Sequence, residues 1–388
     1  MSVIPYGRQN INNADIQAVV DVLQSDYLTQ GSTIPRFEQL VLKYCGSEHA
    51  VAVNSATSAL HIACLALGLG EGDTLWTTPN TFVASANCAL YCNAKVDFVD
   101  IDKTTYNMSP SNLKNKLEIA KTNNCLPKIV IPVHFSGQSC DMESIHHLGK
   151  EYGFSIIEDA SHAIGSRYKG TLVGNGRYSD ITVFSFHPVK IITTAEGGMA
   201  LTNNKLLAEK MEQLRSHGIT RDTEKMTHKP DGAWYYQQIE LGFNYRITEL
   251  QAALGISQMT RLDEFVNRRH ELVKRYNKEL ADLPITLPWQ HPDSSSASHL
   301  YVIRLKLKEI HKSHNEVFDQ LRKKNIGVNL HYIPVHLQPY YQQMGFHKGD
   351  FPEAERYYKE AISIPLFPSM TNEQQLFVIK SLYEVLSK

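Results

Sequence analysis

The chain has 388 residues, 42% of them hydrophobic and 20% charged, and its 39 basic and 40 acidic side chains leave a formal net charge of -1. This composition describes a globular protein with room for one large domain and a smaller one, and it excludes a disordered chain. Charges of both signs are mixed along the sequence, so no electrostatic footprint for nucleic acid or an anionic membrane exists, and any anionic ligand has to be gripped locally.

The opening residues Met1 to Asn10 contain no apolar core of signal-peptide length, and no later run is long enough to span a bilayer, which predicts a cytoplasmic protein without a membrane partner. From Asn13 to Ser25, Ile16, Val19, Val20 and Leu23 recur at helical spacing, with Asn13 or Asp15 available as a cap. The stretch D-Y-L-T-Q-G that follows reads as a loop. Strand and helix signals then alternate: strand His49 to Asn54, helix Thr57 to Leu67, strand Thr74 to Thr78, helix Phe82 to Tyr91, strand Val96 to Ile101. Strands at Lys128 to His134, Phe154 to Asp159, Ile181 to Phe186 and Gly198 to Thr202 bring the total to about seven, which predicts one broad, mostly parallel α/β sheet between helices. A helix from Lys205 to Arg215 and a polar loop near Lys229 to Gly232 precede a long helical segment, Glu249 to Val266, expected to link two domains. Strand Leu300 to Leu307, helix Asn315 to Lys324, strand Gly327 to Tyr332 and helices in the last forty residues form a smaller α+β unit. The expected domains are residues 1–250 and 251–388.

The six cysteines form no C-x-x-C pair, H-E-x-x-H is absent among the 17 histidines, and His311 and His314 sit in a charged segment, so neither disulfides nor a bound metal are expected. Gly68-Leu69-Gly70-Glu71-Gly72 has the wrong spacing for a dinucleotide fingerprint and precedes a strand instead of opening a helix.

Chemistry concentrates where strands end. The run Asp180 to His187 reads as a buried strand, and Ser185-Phe186-His187-Pro188-Val189-Lys190 places a lysine just past its C-terminal end, where α/β folds bind ligands. Only roughly one ordinary lysine in 2,500 is neutral at pH 7, so holding an aldehyde cofactor requires a site that desolvates the amine. A lone lysine is more often a solvated surface residue; this one is followed by Ala195-Glu196-Gly197-Gly198, whose glycines permit close backbone approach. Asn54-Ser55-Ala56-Thr57-Ser58-Ala59 lies between a strand and a helix and suits a phosphate, with Ala56 and Thr57 as candidates and a plain helix cap as the alternative. Asp159 ends the strand Ile156-Ile157-Glu158-Asp159 and is suited to hold the proton of a pyridine nitrogen, with Glu158 pointing the other way; otherwise it is a solvated loop acid. His162, one turn on, could touch the ring face or its 3-hydroxyl, Phe82 could lie over the ring, and Ser185 offers a hydroxyl for the same phosphate.

These motifs resemble the pyridoxal-phosphate sugar aminotransferases of the DegT/DnrJ family over nearly the whole chain. N-S-A-T-S-A-L resembles the family's phosphate loop, E-D-A-S-H-A-I-G its pyridine-nitrogen segment, S-F-H-P-V-K…A-E-G-G its cofactor-lysine segment, and G-F-N-Y-R-I-T-E-L-Q-A-A-L-G the segment that reaches a partner subunit. The resemblance implies the fold of the type I aminotransferases, pyridoxal 5'-phosphate as cofactor, and Lys190 and Asp159 as catalytic residues. It also implies a homodimer with shared sites, Asn244 reaching the neighbouring subunit's cofactor phosphate. Ala56 stands where the family usually has Gly, and His162 where it often has Gln. Within the family the chain looks most like the branch of pseudaminic acid biosynthesis that aminates C4 of a UDP-linked 4-keto-6-deoxy-N-acetyl sugar with L-glutamate. For that substrate the resemblance offers Tyr6, Asp26, Tyr27, Leu28, Thr29, Asn329, His331 and Tyr332. Another nucleotide-linked keto sugar, or a catalytically silent regulatory protein on the same fold, stays open at this point.

Overall fold

A computed structural model describes residues 3–386. Its frame is a seven-stranded sheet of β1 (His49–Val53), β2 (Thr74–Thr77), β3 (Lys95–Phe98), β4 (Ile129–Ile131), β5 (Ser155–Asp159), β6 (Ile181–Ser185) and β7 (Gly198–Thr202), in the order β1-β7-β6-β5-β4-β2-β3. All neighbours pair in parallel except β7, which runs antiparallel to both β1 and β6. Strands β4, β6 and β7 are buried at every position, as unbroken apolar runs require when helices cover both faces of a sheet.

Helix α1 (Asn13–Leu23) forms over the expected residues, but its cap is Asn12: the Asn12 side chain accepts from the Asp15 amide at 3.0 Å and Asp15 accepts from the Asn12 amide at 2.9 Å. Helix α2 (Thr33–Cys45) has no side-chain cap of its own. Glu249 replaces it, accepting from the amides of Thr33 at 2.7 Å and Ile34 at 3.2 Å. Helix α3 (Ala56–Ala66) is buried from Ser58 through Cys64, which is why its residues are small and apolar all round. Helices α4 (Ala84–Tyr91), α5 (Pro110–Thr122), α6 (Met142–Tyr152) and α7 (Lys205–Arg215) complete the layers.

Two further expectations need correction. The single segment expected from Glu249 to Val266 is two helices, α8 (Glu249–Met259) and α9 (Leu262–Glu279). Arg261 leaves helical dihedrals at φ -115°, and its guanidinium reaches Asp15 at 2.5 Å and the Asn10 side chain at 3.0 Å. The second is residues 327–332, which form no strand: after one bridge from Asn329 to Ser363 the segment turns away to wall a cavity. The place beside Tyr301–Leu305 is taken by Ala361–Ile364, with Ile285–Thr286 on the other side, in an antiparallel three-stranded sheet. That sheet packs with the helices His314–Lys323 and Asn372–Leu386 around Ile303, Val317, Ile362 and Leu382. Among the described residues no helix is long and apolar enough to cross a membrane.

Candidate active site

Six strands point the same way, so β1, β5 and β6 end at one edge of the sheet, and β7, running oppositely, begins there. A cavity of about 600 Å³ opens at this edge, where the geometry of parallel sheets favours ligands. It gathers Lys190, Asp159, Ala56, Thr57, Phe82, His162, Ser185, Tyr6, Asn329, His331 and Tyr332. Asp26, Tyr27, Leu28, Thr29 and Asn244 are exposed and lie outside the cavity of their own chain.

Lys190 stands on a loop between β6 and β7. The loop is closed by bonds from the Phe186 amide to the Gly197 carbonyl and from the Thr194 amide to the Phe186 carbonyl, both 2.9 Å. Burial of the amine lowers its pKa to about 8, with the negative charge of Asp159 acting against that shift. About one such amine in ten is neutral at pH 7, which distinguishes Lys190 from a solvated surface lysine.

Asp159 is buried at the end of β5. Its Oδ2 accepts from the Ser85 hydroxyl at 2.6 Å and its Oδ1 from the Ser161 amide at 3.1 Å. Strand alternation sends the adjacent Glu158 to the opposite face, where it meets His134 Nε2 at 2.6 Å and accepts from Ser179 Oγ at 2.5 Å. Only Asp159 faces the cavity.

The N-terminus of α3 forms the other wall. Ser55 accepts from the Ser58 amide at 3.1 Å, leaving the first-turn amides of Ala56 and Thr57 without an intrahelical acceptor. Gly198 presses against this turn: a Cβ there would stand 2.5 Å from the Ala56 nitrogen, so only glycine allows β7 to start so close. Free amides at a helix N-terminus, with Thr57 and Ser185 beside them, fit a phosphate group. An aldehyde-reactive amine, a carboxylate facing the same space and an anion cradle together fit pyridoxal phosphate.

His162 is held between the Ser136 amide, 3.2 Å from Nδ1, and the Tyr332 hydroxyl, 3.1 Å from Nε2. Burial first, then the charges of Lys190 and His331, push its pKa well below the ordinary imidazole value. His331 bonds Ser363 Oγ at 2.8 Å, and burial together with Lys190 lowers it to about 3. Phe82 is 59% exposed, so its ring is not core packing; it stands at the cavity with its centroid 6.3 Å from that of Tyr332. Ser85 and His299 also line the cavity. His299 is buried against His162, centroids 4.4 Å apart. Neither residue carries a local signal: a serine inside a helix and an isolated histidine look like packing residues until the chain is folded.

The sequence matches the DegT/DnrJ/EryC1/StrS aminotransferase family over residues 9–383. The Campylobacter jejuni (serotype O:23/36, strain 81-176) UDP-4-amino-4,6-dideoxy-N-acetyl-beta-L-altrosamine transaminase is 39% identical over 387 residues, covering 100% of this chain and 98% of its own. The Bacillus subtilis spore coat polysaccharide biosynthesis protein SpsC is also 39% identical, over 98% of this chain and 97% of its own. Among solved structures, Helicobacter pylori PseC, an aminotransferase involved in the biosynthesis of pseudoaminic acid, superposes with a TM-score of 0.90 at 31% identity, covering 99% of each chain. The PLP-form of the Streptococcus pneumoniae putative sugar aminotransferase Spr1654 superposes with a TM-score of 0.88 at 28% identity, covering 99% of this chain and 98% of its own.

Proposed function

Because the chain belongs to the DegT/DnrJ/EryC1/StrS aminotransferase family and is thereby a pyridoxal-phosphate-dependent aminotransferase, we propose that it moves an amino group from L-glutamate to C4 of a UDP-linked 4-keto-6-deoxy-N-acetylhexose, a step of pseudaminic acid biosynthesis in the cytoplasm. The observation that carries the chemistry is the desolvated amine of Lys190 sharing one cavity with the Asp159 carboxylate. The choice of sugar is supported by similarity to the Campylobacter transaminase and to PseC. The equal identity of SpsC favours, as a second reading, another nucleotide-linked keto sugar.

When bound, pyridoxal phosphate supplies an aldehyde carbon that receives the amino group and a ring that spreads the electron pair left by proton removal. Lys190 anchors that aldehyde, and its amine then holds and returns the proton exchanged between the two carbon atoms involved. Both positions must lie within hydrogen-bond reach, about 2.6–3.2 Å, when the ligand is in place. Asp159 would keep a proton on the ring nitrogen, and its own orientation is set by Ser85 and Ser161. The amides of Ala56 and Thr57 with the hydroxyls of Thr57 and Ser185 would hold the phosphate, and Phe82 and His162 would contact the ring.

Asn244 is exposed outside its own cavity, which supports a homodimer in which it contacts the neighbouring subunit's phosphate. Asp26, Tyr27, Leu28 and Thr29, equally exposed, would join Tyr6, Asn329, His331 and Tyr332 around the sugar nucleotide.

Incubation of the protein with L-glutamate and a panel of UDP- and dTDP-linked keto sugars, followed by identification of the aminated product, tests the substrate. Borohydride reduction with peptide mapping tests the anchor: the label is expected on Lys190, and a label elsewhere ends the reading.

A further inference from the structure

The direction of the hydrogen bonds around His162 has a chemical outcome in the cavity. The Ser136 amide can only donate, so His162 Nδ1, 3.2 Å away, carries a lone pair. Ser136 is itself fixed, with φ at 60°, its hydroxyl donating to the Leu300 carbonyl at 2.7 Å and its carbonyl accepting from the His299 amide at 2.9 Å. Burial keeps the imidazole neutral, which leaves its one proton on Nε2, 3.1 Å from Tyr332 Oη. The Tyr332 hydroxyl is therefore the acceptor in that bond, and its own hydrogen has to go elsewhere. Among the described residues no carbonyl or carboxylate receives it, and the residue lines the cavity. The ring is held in place, with Phe82 and Phe135 centroids each 6.3 Å away and the Tyr332 amide on Asn80 Oδ1 at 3.3 Å.

We propose that Tyr332 is a catalytic hydrogen-bond donor to an oxygen of the bound ligand, with His162 as the positioning residue that fixes the direction of the donation. The proposal rests on the aminotransferase reading for the identity of that oxygen. It is either the phenolic oxygen on the cofactor ring, which would carry negative charge, or the keto oxygen of the sugar, on which negative charge would develop during the reaction; a preorganised neutral donor stabilises either. Burial raises the phenol far above its usual range, so the donor keeps its hydrogen throughout the working pH range.

The first test needs no turnover. In protein labelled with 15N-histidine and free of cofactor, His162 is expected to show the shifts of a neutral ring protonated at Nε2; protonation at Nδ1 overturns the proposal. The second uses Tyr332→Phe holoenzyme, with a loss of about 10- to 100-fold in kcat/KM expected at undiminished cofactor content. If the acceptor is the cofactor oxygen, both half-reactions slow and the pH midpoint of the cofactor absorbance shifts. If it is the sugar oxygen, the glutamate half-reaction is unchanged, while sugar amination slows and calorimetry shows weaker binding of the sugar nucleotide. Wild-type values for all of these overturn the proposal. His162→Gln, which can accept from Ser136 and donate to Tyr332, should retain more activity than His162→Leu; equal losses in the two count against the assigned direction. A wild-type protein that exchanges no amino groups between glutamate and 2-oxoglutarate would sink the aminotransferase reading while leaving the labelling result intact, so the two failures are separable.

Discussion

The Ser85 hydroxyl donates a 2.6 Å hydrogen bond to Oδ2 of Asp159, joining the first turn of α4 to the end of β5. Thr81 Oγ1 lies 2.8 Å from the same serine oxygen, and the Ser161 amide occupies Oδ1, so the carboxylate is oriented from two sides before any ligand arrives. Hydrogen bonds to charged groups contribute about 1.5–3 kcal/mol. Ser85→Ala is expected to lower kcat by about tenfold. Asp159→Ala should lower it by roughly 10³-fold or more while cofactor remains bound, a split read by steady-state kinetics beside cofactor absorbance. Near-full turnover in Asp159→Ala would remove the role assigned to it.

The amine of Lys190 should make the cofactor-free protein less stable than it could be. Its folded pKa of about 8 lies below the unfolded value of about 10.4, so below pH 8 the folded chain bears the desolvation of a charge that the unfolded chain leaves in water. Between these two values the unfolded state binds more protons, and stability from this group rises with pH. Lys190→Met is therefore expected to melt a few degrees higher than wild type at pH 7, with the gap closing toward pH 10.5. Thermal melts across that range provide the check, and a gap independent of pH would contradict it.

Gly198→Ala tests the cradle. The added methyl would stand 2.5 Å from both the Ala56 nitrogen and the Ser55 carbonyl carbon, all backbone, so the turn has to move. Overpacking of this kind costs about 1–3 kcal/mol. The expected result is a folded protein with a modestly lower melting temperature and at least tenfold weaker cofactor binding by titration. Gly72→Ala, at a position open to solvent but with φ of 88°, serves as the comparison: it should lose stability without losing cofactor affinity.

The proposed homodimer with shared sites can be tested in a way that contacts within one chain cannot mimic. Lys190→Ala and Asn244→Ala chains are each expected to be inactive or nearly so. When refolded together in equal amounts they should recover about a quarter of wild-type activity, because half of the dimers are mixed and each mixed dimer contains one intact site. No recovery, in a mixture that light scattering finds dimeric, would place Asn244 outside the site.

Strands buried on both faces were legible because burial demands unbroken apolar sequence, as in Ile181–Ser185 and Gly198–Thr202. The mostly parallel sheet was legible in the alternation of strands and helices, but the reversal of Gly198–Thr202 was not, since a strand carries the same residues whichever way it runs. The break at Thr260-Arg261 was hidden by Leu262, whose apolar side chain continues the helical pattern across it, while the partner that Arg261 meets at the break, Asp15, lies 246 residues away. In residues 327–332, G-V-N-L-H-Y alternates as a strand should, but Asn329, Leu330, His331 and Tyr332 all line the cavity, so the segment leaves the sheet after one bridge to Ser363. Lys190, Asp159 and the Thr57 turn could be picked out because each follows a strand signal directly. Ser85 and His299 join the site only through tertiary packing, which no local pattern encodes.

The reversal of β7 has a further meaning for how two guests share one pocket. With both ends joined to adjacent hydrogen-bonded strands, the loop bearing the nucleophile is tethered at the same place for the amino donor in one half-cycle and for the sugar nucleotide in the next. Accommodation falls to the surrounding walls, and retuning this scaffold toward a different sugar becomes a matter of altering those walls while the amine stays where the sheet has put it.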